Sequence, residues 1–195
     1  MPPTAKRIHA LKKRLGVLDK RFLPKPSLLG TYSRAEQDMV RAFRLLAHAE
    51  IESFFEGCVL TIVESAVKKF KRSHRPNSVL RAIHQSFCRE TELTGGKDAY
   101  DVAVKKFQNA IKKKNHGVTE KNLCGMLLPI GVDHKSLDVA WLGTMNTFGE
   151  QRGLVAHNSF RVKAVLDPST EKTTIAQVIT VVEELHRLLS PLINK

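Results

Sequence analysis

Two residues stand out by type and spacing. Arg152 and His157 lie five positions apart in the stretch Phe148-Gly149-Glu150-Gln151-Arg152-Gly153-Leu154-Val155-Ala156-His157-Asn158-Ser159. Histidine titrates near physiological pH, so it can take a proton and return it. Arginine carries a lasting charge on a planar fork of donors that matches two phosphate oxygens, a geometry lysine does not offer. Together they fit cleavage of RNA by its own 2′-hydroxyl, with His157 as general base and Arg152 holding the phosphate as charge builds in the transition state. Glu150 could orient either side chain through an ion pair, and Asn158 could donate to a phosphate oxygen or cap the helix. The plainer alternative is a helix-end salt bridge, since cations favour helix C-termini.

Such a pair must be positioned by helices. Five residues on a straight α-helix leave two positions about 140° apart, so a shared role needs a helix end, a bend or an arginine that curls round. Gly153 and Asn158-Ser159 suggest such an end. The carrying helix is expected from about Lys135 to His157, after the Pro129-Ile130-Gly131 turn and with Asp133 as its cap. A longer helix is expected after Ser33, which has Glu36 three residues on, the spacing of a capping box. Its apolar residues, from Phe43 through Ile51, Phe55, Val59 and Ile62 to Phe70, recur at threes and fours. Further helices are expected at Val79–Cys88, Ala99–Ile111, Glu120–Leu128 and Ile175–Leu192, the last ending near Pro191. Breaks are expected at Gly95-Gly96 and Asn115-His116-Gly117. Residues 160–166 alternate enough to allow a short strand. The architecture is thus an all-α bundle.

On so apolar a first helix, His48, Glu52 and Glu56 share a face and call for a reason. These groups could form a satisfied structural network. Trp141 fits core or dimer packing. Basic clusters at Lys68, Lys69, Lys71, Arg72 and Arg75, and at Lys105, Lys106, Lys112, Lys113 and Lys114, mark candidate phosphate paths.

Composition points the same way. Lys and Arg number 32 against 19 Asp and Glu, for a formal charge of +13, and so basic a chain suits a polyanion such as RNA, DNA or anionic lipid. Residues 1–25 hold eight Lys or Arg and one acid, Asp19, so residues 1–32 read as a basic extension ahead of a domain at 33–195. Cys58, Cys88 and Cys124 form no Cys-x-x-Cys pair, which fits a reducing, cytoplasmic setting. No apolar run approaches membrane length, and the N-terminal segment lacks the apolar core of an export signal. Gly95-Gly96-Lys97 lacks the other residues of a phosphate-binding loop. No His/Cys grouping suggests a metal, no cofactor is expected, and no helix-turn-helix pattern points to a DNA reader.

The sequence resembles the HEPN superfamily, whose signature is Arg, four to six residues, then His near the end of a late helix. Its likeness is to the RiboL-PSP-HEPN branch: Arg44-Leu-Leu-Ala-His48-Ala-Glu50-Ile-Glu52-Ser-Phe-Phe-Glu56, the Leu128-Pro-Ile-Gly131 turn and Arg152-Gly-Leu-Val-Ala-His157 fall in the expected order over roughly Ser33 to Lys195. The resemblance implies a HEPN-type bundle of long antiparallel helices. It also implies a two-fold dimer that brings two Arg-His pairs into one cleft, with the first long helix beside it, so that Glu50 or Glu52 could support that cleft. The implied activity is metal-independent endoribonuclease cleavage leaving 2′,3′-cyclic phosphate and 5′-hydroxyl ends, in a toxin or antiviral effector with an antitoxin or defence-system partner. Many members carry a polar residue directly after the arginine, where this chain has Gly153. Members silenced by nucleotidyl transfer have Tyr two residues after the histidine, where this chain has Ser159. The alternative is a non-catalytic helical dimer that binds RNA or a partner protein.

Overall fold

The computed structural model describes residues 3–88, 97–158 and 165–194. Among them are seven α-helices: α1 (Pro3–Phe22), α2 (Arg34–Ser73), α3 (Ser78–Phe87), α4 (Lys97–Lys114), α5 (Glu120–Leu127), α6 (Val139–Asn158) and α7 (Pro168–Asn194), with single 3-10 turns at Leu128–Ile130 and His134–Ser136. The described fold is all-α, as the periodicity requires. The Gly95-Gly96 break and most of the stretch considered for a strand lie outside the described residues.

Local chemistry sets the boundaries. The Ser33–Glu36 capping box forms: the Ser33 N–H donates to Glu36 Oε2 at 2.8 Å and the Glu36 N–H to Ser33 Oγ at 3.2 Å. Two orphan donors at the start of α2 are thereby satisfied. Asn77 caps α3, its Oδ1 accepting from the Leu80 N–H at 3.0 Å. Gly117 and Gly131 take φ of 111° and 90°, conformations that L side chains rarely adopt, and each closes a turn between elements.

Two boundaries differ from expectation. The helix expected from Lys135 begins instead at Val139. Asp133 does cap, accepting from the Lys135 N–H at 2.9 Å. The Leu137 N–H then bonds back to His134 as a 3-10 turn, and Leu137 swings to extended backbone and buries its side chain. At the other end, α7 starts at Pro168 and runs past Pro191. Asp167 accepts from the Thr170 N–H at 2.8 Å, so the Asp-Pro start is a capped helix with proline in its first turn.

The chain forms two compact units. Unit 1 comprises Met1–Phe54, Gly117–Thr119 and Val139–Glu184; unit 2 comprises Phe55–His116, Glu120–Asp138 and Leu185–Lys195. Unit 1 buries Phe43, Ile51, Met145, Phe148, Val178 and Val182, and unit 2 buries Phe55, Ile62, Leu80, Ile83, Phe107, Leu123 and Met126. The stretch expected as a basic extension includes α1, which buries Leu11, Leu15 and Leu18 within unit 1. Those leucines fall on one helical face and were masked in composition by the charges around them. Ion pairs join Lys12 to Glu183, Arg14 to Glu50 and Asp19 to Lys172.

Candidate active site

The site region begins with the register of α6. Leu142, Met145, Phe148 and Val155 are buried, and Arg152, one turn after Phe148, falls on the same half-buried side. Val139 is 83% and Leu154 59% exposed on the opposite side, where Glu150 is also exposed. Position 157 is in helical register with Val139 and Glu150. Because α6 is continuous through Asn158, positions 152 and 157 of one chain sit about 140° apart around its axis. The side chains of His157 and Asn158 lie outside the described residues.

On the Arg152 side, α6 meets a polar stripe of α2. His48 is only 1% exposed, and its ring stacks on Phe148 with centroids 5.4 Å apart at 26°. Its Nδ1 has no hydrogen-bond partner; Glu52 Oε2 is 3.6 Å away, beyond a hydrogen bond. Burial, with the nearby Arg152 charge, pushes the His48 pKa down to about 4. His48 is therefore neutral at pH 7, and a neutral ring beside Arg152 leaves that cation unopposed by a like charge.

Glu52 works in another direction. Its Oε1 accepts the backbone N–H of Gly117. The same segment presses on α6 from its other end: a Cβ added at Gly149 would lie 2.7 Å from Thr119 Cγ2 and 3.2 Å from the Thr119 nitrogen. Glycine at 149 is what admits the backbone so closely. The segment 117–119 is thus held between Glu52 of α2 and Gly149 of α6.

Three further tethers hold the start of α7 and the residues just before it. Gln37, buried, donates from Nε2 to the Leu166 carbonyl and accepts the Leu166 N–H on Oε1, both at 2.8 Å. Arg44 grips Glu171 with both ends of its fork, Nε to Oε2 at 2.9 Å and a second bond to Oε1, with side chains 11% and 5% exposed. Tyr32 donates to Asp167 at 2.8 Å.

The other expected site residues disperse. Glu50 accepts from Arg14 Nε of α1 at 2.8 Å, facing away from the Glu52 contact. Glu150 accepts from Asn146 Nδ2 at 2.8 Å, a turn earlier on α6. Lys68, Lys69 and Arg72 on the second half of α2, and Lys105, Lys106, Lys112, Lys113 and Lys114 on α4, all belong to unit 2, and all but Lys69 are exposed. Sequence reasoning did not single out Gln37, Arg44, Gly149 and Glu171 as site residues. Arg44 and Gln37 share a stripe with His48 and Glu52 at helical spacing, a readable signal. Their partners more than a hundred residues away carry none.

An all-α fold among the described residues, with Arg152 and His157 on a late helix, fits the signature of the HEPN class. A family model described as RiboL-PSP-HEPN matches residues 12–191, and the chain belongs to that family. The HEPN family includes ribonucleases, which gives this chain an RNA-related context. Neither the curated proteins nor the solved structures compared with the chain include a significant match. Among the described residues no helix is long and apolar enough to cross a membrane.

Proposed function

We propose that the protein is a metal-independent endoribonuclease that cleaves RNA through attack of a 2′-oxygen on the adjacent phosphorus, acting as a toxin or antiviral effector. His157 takes the 2′-hydroxyl proton, the 2′-oxygen bonds to phosphorus, and the bond to the 5′-oxygen breaks. The departing oxygen leaves with one proton, so the products are a 2′,3′-cyclic phosphate and a 5′-hydroxyl, and no atom is added. Arg152 binds the non-bridging oxygens while their charge grows.

The observation that carries the reading is the helical register of α6 in a chain of this family. Arg152 lies near the neutral His48, and position 157 sits about 140° from Arg152 around the helix axis. That separation suits a homodimer in which Arg152 of one copy serves with His157 of the other. The test is incubation of wild type and His157→Ala with single-stranded RNA in EDTA, followed by mapping of product ends. Wild type yields cyclic phosphates and the variant yields none; a variant that cuts at the wild-type rate would overturn the mechanism.

Gly153 favours a second reading, a non-catalytic dimer that binds RNA or a partner protein such as an antitoxin. A Cβ at Gly153 meets nothing within 4 Å, so the polar residue common in the family is sterically admissible there. Cleavage that appears only in Gly153→Asn would favour this reading.

A further inference from the structure

Between α1 and α2 of unit 1, two leucines stand where leucine is least expected. Leu28 is fully exposed and Leu29 is 85% exposed. They fill the two central positions of a β-turn, in which the Gly30 N–H donates to the Ser27 carbonyl at 3.1 Å and the Leu29 N–H to Ser27 Oγ at 3.3 Å. Gly30 leaves the turn at φ 65°. Central turn positions ordinarily go to glycine, proline, asparagine, aspartate or serine. A single exposed leucine needs no explanation, but two side by side on a tip do.

The tip is held in shape by its base. The Tyr32 hydroxyl accepts the Ser27 N–H at 3.2 Å and donates to Asp167 Oδ1 at 2.8 Å. These bonds close residues 27–32 into a loop and tie it to the residue that caps α7. Because the turn is already formed, a partner that takes up the leucines has little ordering to impose.

The chain on both sides of the tip is basic. Residues 20–35 hold Lys20, Arg21, Lys25 and Arg34 and no acid, and all four cations are exposed. Lys25 precedes Leu28 by three residues and Arg34 follows Leu29 by five, so the chain keeps their Cα atoms within about 11 and 18 Å of the tip. The acids that flank this stretch are engaged elsewhere: Asp19 pairs with Lys172 at 3.0 Å and Glu36 accepts from Ser33. Asp167 accepts from Thr170 as well as from Tyr32. An apolar tip with cations on its stems matches an anionic bilayer, where leucines enter the headgroup layer and cations meet the lipid charges. A nucleic-acid backbone would use the cations and leave both leucines in water.

We propose that the Leu28–Leu29 turn inserts into the surface of a membrane that contains anionic phospholipid, with Lys20, Arg21, Lys25 and Arg34 against its headgroups. This is contact with the surface, not a span, and it stands apart from any RNA cleavage.

Cosedimentation with vesicles tests it, using equimolar phosphatidylserine and phosphatidylcholine against phosphatidylcholine alone. Wild type should bind the mixed vesicles about tenfold or more tightly than the neutral ones, and less tightly as salt is added. Leu28→Ser with Leu29→Ser keeps every charge and should weaken binding about tenfold through lost apolar burial. Lys20→Gln with Lys25→Gln should weaken it by a similar factor or more, at roughly fivefold per cation. Circular dichroism verifies that each variant stays folded. In Leu28→Trp, tryptophan emission should shift to the blue when mixed vesicles are added, beyond any change from Trp141 in wild type. Undiminished binding by the serine pair would mean that net charge alone drives adsorption and would overturn the proposal. So would equal binding to neutral vesicles, or emission that does not move. A serine pair that keeps its vesicle binding but loses single-stranded RNA binding or self-association would reassign the tip to that partner.

Discussion

In the first half of α2, Gln37, Arg44, His48 and Glu52 turn inward and meet Leu166, Glu171, Phe148 and Gly117. In the second half, Lys68, Lys71 and Arg72 turn outward around an apolar stripe of Phe55, Val59, Ile62, Val63 and Phe70. One helix therefore uses polar side chains in two ways. Buried, they pin distant segments at fixed points, because each must find its partner or pay desolvation. Exposed, they set a field that an anion can feel without any single contact being fixed.

That contrast can be broken most forcefully at Arg44 and Glu171. Removing either partner leaves a charge buried, so Arg44→Met or Glu171→Leu alone should cost about 3 to 5 kcal/mol in urea unfolding. The double substitution should recover most of that loss. Lys68→Ala on the outward half should stay within about 0.5 kcal/mol of wild type. Equal effects in the two halves would erase the distinction.

A smaller effect is expected from pH. His48 binds its proton more weakly in the folded state than unfolded, with a pKa lowered from 6.5 to about 4. Stability is then whole above about pH 6.5 and falls as the pH drops toward 4, by up to about 1.4 kcal/mol per unit. Unfolding curves from pH 7 to 4 should show this slope in wild type and a shallower one in His48→Leu.

The smallest effects are expected at two glycines of α6. Gly149 abuts Thr119, whereas Gly153 faces open space. Gly149→Ala should destabilise by about 1 to 3 kcal/mol through overpacking. Gly153→Ala should stabilise by up to about 1 kcal/mol, because alanine is the better helix former. Thermal melts of the two variants should move in opposite directions.

Much of the fold was legible because its signals are local. The Ser33–Glu36 box, the Asn115 to Gly117 stop and the threes-and-fours stripe of α2 each act over a few residues. The start of α7 was equally local, in Asp167-Pro168, but the apolar period begins only at Ile175 and drew the boundary there. The break at Leu137 was not local, since what swings that residue out of a helix is the burial of its side chain. The site divides in the same way. The Arg152–His157 spacing and the inward stripe of His48 and Glu52 can be read from the sequence, whereas the Arg44–Glu171 pair and the Gly149–Thr119 contact depend on segments the chain brings together only on folding.

In the proposed mechanism Arg152 and His157 act across two copies of the chain. The most direct measurement mixes Arg152→Ala protein with His157→Ala protein, lets subunits exchange, and assays RNA cleavage. Each variant alone should be silent. The equimolar mixture should recover on the order of a quarter of wild-type activity, since half the dimers are mixed and each mixed dimer keeps one complete pair. A mixture that stays silent while wild type cleaves would contradict it.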